Sequence, residues 1–62
     1  MPRYRFLLLT SGGRLAITSH SELDNDDHAT LFADGVLRAA EPSVTAIEAW
    51  HGTKLLFKRE RG

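Results

Sequence analysis

Ser19, His20, Asp24, Asp27 and His28 crowd the residue types of metal and acid–base chemistry into one short segment. Imidazoles beside carboxylates are competent zinc donors, and helical spacing sets Asp24 and His28 one turn apart. Ser19, His20 and Asp24 also supply the residue types of a nucleophilic triad. They lie on a connecting segment, however, and nothing in the sequence fixes their geometry or adds oxyanion-stabilising amides. The run Asp24-Asn25-Asp26-Asp27 imitates a calcium loop but lacks its glycine and its distant glutamate. Gly12-Gly13 is followed by a strand pattern rather than a helix, which excludes a phosphate loop. His51 falls at a turn tip. We therefore expect exposed surface groups at these positions, with no catalysis, metal or cofactor.

The elements that would hold these residues are few. With 62 residues, the chain is expected to form a single small α+β domain over 1–62. A chain this short buries only about 60 % of its unfolded surface. It contains no cysteine, which removes disulfides and thiolate metal sites as reinforcement and leaves association with another chain as the most accessible remedy. The apolar fraction of 42 % and charged fraction of 26 % suit an ordered globular domain. The apolar run Phe6-Leu7-Leu8-Leu9 is too short for a signal-peptide core or a membrane span, so a cytoplasmic setting is expected.

One helix is predicted, over Asp24 to Ala40. Ala29, Phe32, Ala33, Val36 and Ala40 recur at steps of three and four along one side, with Leu37 at the margin. Asp24 is the expected N-cap, Asn25-Asp26-Asp27 place negative charge on the positive end of the helix dipole, and Pro42 ends the helix. Gly35 costs about 1 kcal/mol mid-helix against Ala. With Leu31 it marks either two tolerated surface positions or a groove where another backbone approaches.

The flanking segments read as strands. Arg3 to Thr10 alternates, and Gly12-Gly13 forms the expected loop of a first hairpin, which sets Leu8 opposite Ile17 and Thr10 opposite Leu15. Phe6, Leu8, Leu15 and Ile17 then share a face. The second strand is expected over about Arg14 to Ser19. After Pro42, Val44 to Ala49 and Thr53 to Arg59 form a second hairpin, in which a three-residue loop ending at Gly52 is favoured. That register pairs Ile47 with Leu55 and Glu48 with Lys54. The predicted fold is ββαββ, a four-stranded antiparallel sheet of order 2-1-3-4 with the helix packed on one face. Glu60 to Gly62 are expected to fray.

The opening Met1-Pro2-Arg3-Tyr4-Arg5-Phe6 strand, the Glu22-Leu23-Asp24 helix entry and the closing strand pair resemble a group of short, uncharacterised bacterial α+β proteins. Ser19-His20-Ser21-Glu22 stands where that group usually carries an acidic, glycine-containing turn. The resemblance implies a small α+β domain and brings no activity or functional residues.

Charge is strongly sorted. Residues 19–43 hold six acids and one base, Arg38, whereas the remainder holds seven bases and two acids, Glu48 and Glu60. On the registers above, Arg3, Arg5, Arg14, Lys54 and Lys58 fall on the sheet face the helix leaves open, among Leu7, Leu9, Leu56 and Trp50. An antiparallel sheet can leave one face in water, but several large apolar groups there mark a contact surface. The expected interface is Arg3, Arg5, Leu7, Leu9, Trp50, Lys54, Leu56 and Lys58. A homodimer or another protein is the expected partner. The alternative partner is nucleic acid, with the bases on phosphate and Trp50 stacking. The zero net charge and the acidic helix weigh against a polyanion. No membrane contact is expected, because the helix's polar side is acidic.

Overall fold

A computed structural model describes residues 2–61. The elements are β1 (Arg3–Thr10), β2 (Leu15–Glu22), α1 (Asp26–Ala39), β3 (Val44–His51) and β4 (Lys54–Glu60). They form one antiparallel sheet in the order β2-β1-β3-β4, with α1 on one face, as the apolar patterns predict. Among the described residues no helix is long and apolar enough to cross a membrane.

The helix starts one residue later than its acidic run suggests. Asn25, rather than Asp24, is the N-cap, and its side-chain oxygen accepts from the His28 amide at 2.9 Å. Either residue type can cap. Asn25 takes the role because its backbone is extended while Asp26 and Asp27 already lie in the first turn. Ala29, Ala33 and Leu37 are the buried stripe, with Phe32, Val36 and Ala40 packed at its side. Leu37 thus belongs to the centre of the seam and not its margin. Small residues at 29 and 33 bring the helix close to the sheet, where Tyr4, Phe6, Leu8, Ile47 and Ala49 rise from the two central strands. Gly35 has open space around it and Leu31 is exposed, so both are surface positions within the chain.

Both hairpins depart from their predicted registers. Thr10 donates to the Arg14 carbonyl at 2.8 Å and accepts from the Gly13 amide at 3.0 Å, which makes the first loop Ser11-Gly12-Gly13. Both glycines take positive φ, 85° and 77°, which this longer loop requires. Leu15 now pairs with Leu9, and a bulge at Ala16 restores the predicted pairing of Leu8 with Ile17. Leu15 therefore leaves the face that Phe6, Leu8 and Ile17 share.

In the second hairpin the predicted register does not occur. The loop is Gly52-Thr53, with Gly52 at φ 64° and Thr53 at negative φ, the pattern of a type II′ turn. His51 pairs with Lys54 and Trp50 with Leu55, then a bulge at Leu56 sets Phe57 against Ala49 and Lys58 against Glu48. The bulge turns Phe57 onto the core, where a bulky ring fits beside a small alanine. Burial of that ring outweighs the Ile47–Leu55 pair on which the predicted register relied.

β2 runs three residues beyond Ser19, because β1 from Arg3 to Phe6 offers a partner backbone along its whole length. The chain's end is also fastened. Glu60 completes β4, the Arg61 amide donates to Thr45 at 2.7 Å, and the Arg61 guanidinium reaches the helix C-terminus, donating to the Leu37 carbonyl and to Ala40 O at 3.2 Å. The predicted fraying of Glu60 and Arg61 does not occur, since free carbonyls at the negative end of a helix attract a cation. Gly62 lies outside the described residues.

Two substitutions check this packing. Gly35→Ala should stabilise the protein by up to about 1 kcal/mol, because the added methyl meets nothing and helix propensity improves. Arg61→Ala should destabilise it by roughly 1 kcal/mol by uncapping the helix. Chemical denaturation reads both.

Candidate functional site

Strand alternation disperses the chemical residues of the helix entrance. His20 pairs with Arg5 and shares its face, while Ser19 pairs with Phe6 on the face that carries α1. Ser19 and His20 thus point to opposite sides of the sheet, and no nucleophile–base contact can form between them. His28 Nδ1 approaches Asp24 Oδ2 at 3.7 Å, with both side chains exposed. Among the described residues no three histidines or carboxylates converge on a point that could hold a metal ion.

Tyr4 brings a side-chain polar contact into the core. Its ring is 1 % exposed and stacks beside His51 at 5.0 Å, and its hydroxyl donates to Asp26 Oδ1 at 2.8 Å. This bond ties the first strand to the first helical turn. Burial pushes the Tyr4 phenol above its ordinary pKa, and the hydrogen bond and negative charge of Asp26 add to the effect.

On the opposite face of the sheet no described element packs. Cross-strand partners place Arg3, Arg5, Leu7 and Leu9 of β1 there, beside Glu22, His20, Thr18 and Leu15 of β2 and Trp50, Glu48 and Ala46 of β3. Much of this surface is engaged within the chain. The Arg5 guanidinium lies over the Trp50 ring, 5.6 Å from its centroid, and Trp50 Nε1 donates to Glu48 Oε1 at 3.0 Å. Arg3 approaches Glu22 at 3.8 Å. Lys58 stands across from Glu48. Leu7 and Trp50 are half-buried. Leu9 lies between Leu15 and Ala46 and keeps only 8 % exposure.

Three residues expected on this face are elsewhere, the first being Arg14, which lies outside β2 opposite Thr10 because the bulge puts Leu15 on the open face in its stead. Lys54 pairs with His51, whose ring touches the core tyrosine, and so belongs to the helix side. Leu56 occupies the bulge and packs against the core cluster. The large apolar groups that the open face presents to solvent are instead Leu15, 58 % exposed opposite Leu9, and Leu55, 44 % exposed opposite Trp50. Sequence patterning missed both, because each follows from a bulge that shifts a strand's alternation by one.

A further apolar surface lies on the helix side. α1 packs mainly against β3 and β1, so the β2 margin is left uncovered. Ile17 is 56 % exposed there, at the mouth of a groove of about 480 Å³ bordered by Leu8, Val36, Ala39, Ala40 and Val44, and by the polar Glu41 and Ser43. Comparison of the chain with family models, with curated proteins and with solved structures returns no match, so the site is read from its own geometry.

The Tyr4 environment predicts a pH dependence. Its folded pKa is raised, so its contribution to stability is complete below the unfolded value of about 10 and is lost as pH rises through the folded value. Ultraviolet absorbance of the single tyrosine should show ionisation at higher pH in the folded than in the unfolded protein. Tyr4→Phe should remove the alkaline loss of stability.

Proposed function

We propose that this chain is a small non-enzymatic association module, acting in the cytoplasm by contact with another polypeptide, in the first instance a second copy of itself. The reading is carried by Leu15 and Leu55, exposed on a sheet face that no described element covers, with Arg3, Arg5 and Lys58 around them. Mixed apolar and arginine-rich surfaces are the composition of protein interfaces, where such side chains anchor the contact. Leu7, Leu9 and Trp50 form the floor of that surface rather than its tips. The small core adds motive, since a second chain supplies apolar contacts that 62 residues lack.

The nucleic-acid reading draws less support. Arg5 already covers one face of Trp50, the ring that a base would stack on, and the acidic residues of α1 repel the same polyanion.

Sedimentation equilibrium across a dilution series tests the proposal. We expect a mass above one chain at micromolar concentration, falling towards one chain on dilution. A single-chain mass throughout would overturn self-association.

A further inference from the structure

The sheet has two edges, and they are built differently. An edge strand exposes unpaired amides and carbonyls that can template pairing with another chain, and proteins guard such edges with lysines, prolines and bulges. β4 is guarded along its length: Lys54, Lys58 and Arg59 punctuate it, a bulge interrupts it at Leu56, and Arg59 is drawn to Asp34 of the helix at 3.6 Å. β2 runs Leu15-Ala16-Ile17-Thr18-Ser19-His20-Ser21-Glu22, with no lysine, arginine or proline and a bulge only at its hairpin end.

The direction of its free groups follows from the ladder. Leu23 donates to the Pro2 carbonyl at 3.1 Å, which makes that facing pair a hydrogen-bonded one. Alternation then assigns Ser21, Ser19 and Ile17 to bonds with β1 and turns the N–H and C=O of Thr18, His20 and Glu22 outward.

From this we infer that β2 pairs antiparallel with β2 of a second copy, about a two-fold axis near Thr18, joining two sheets into one of eight strands. The inference rests on the self-association proposed above and adds to it a contact at the β2 edge, beside Leu15 and away from Leu55. Three features select a second copy as the occupant. Pairing about Thr18 sets Thr18 against its own counterpart and holds the two Glu22 carboxylates at opposite ends of the ladder, so no like charges face each other along β2. Ile17 lies diagonal to its counterpart, and the two apolar grooves beside Val36 and Ala39 meet across the axis. The helix flank turned to that groove is uncharged at Phe32, Val36, Ala39 and Ala40, whereas Asp34 is held on the other flank by Arg59. Glu41, just past the helix end, is the acid that borders the groove.

The test uses the outward amide of Thr18. Thr18→Pro removes a hydrogen-bond donor that the chain's own sheet does not use, so the variant should keep its circular dichroism and sediment as one chain where the wild type sediments as two. Facing residues of a hydrogen-bonded pair have Cα atoms about 5.5 Å apart, within disulfide reach. The protein has no cysteine, so Thr18→Cys should give a covalent dimer on mild oxidation, whereas Lys54→Cys on the guarded edge should not. A folded Thr18→Pro variant that remains dimeric, or a dimeric Thr18→Cys variant that fails to cross-link, would overturn the edge contact and leave self-association standing. A wild type that is one chain at every concentration would overturn both.

Discussion

A single helix is narrower than the sheet it must seal. An α-helix with its side chains is about 10–12 Å across, whereas four strands spaced about 4.8 Å apart make a layer of roughly 15–20 Å. One helix can close the middle of such a layer and one margin at most. Here α1 is seated through Ala29, Ala33 and Leu37 over Tyr4, Phe6, Ile47 and Ala49 of the two central strands. The β4 margin closes through Phe57 and the Arg59–Asp34 contact. The β2 margin stays open, and Ile17 remains exposed over an apolar groove.

The separation of charge along the chain acquires a structural role in this light. The acidic helix segment and the basic strands are brought together at particular points. Asp34 meets Arg59, Asp26 accepts from Tyr4, and Arg61 covers the carbonyl end of the helix. These contacts fasten both ends of α1, through Asp34 on the β4 side and through Asp26 on β1. The exposed ion pairs among them each contribute little, and the buried alanine seam supplies most of the attachment.

The ββαββ order, the strand arrangement and the helix stripe were legible in the sequence because each rests on periodicity, which burial enforces over many residues. The bulges at Ala16 and Leu56 were not legible. A bulge moves alternation by one residue and is decided by the fit of Phe57 beside Ala49 and by the turn geometry of Gly12, Gly13 and Gly52, which no local pattern records. The shift in β4 moved Leu56 to the core, Lys54 to the helix side and Leu55 onto the open face, and the shift in β2 brought Leu15 there. The polar end of β2 was likewise hidden, since an edge strand needs only a backbone partner and carries no hydrophobic signature. Arg61 escaped notice because its partners, the Leu37 and Ala40 carbonyls, are distant in sequence.

The central claim, that the helix seals the central strands and leaves the β2 margin open, is most directly tested by residue-resolved amide hydrogen exchange on dilute and concentrated protein. The outward amides of Thr18, His20 and Glu22 should exchange quickly in dilute solution and become protected on concentration, while those of β1 and β3 stay protected in both. Equal protection of all four strands in dilute solution, or no response of β2 to concentration, would contradict the account.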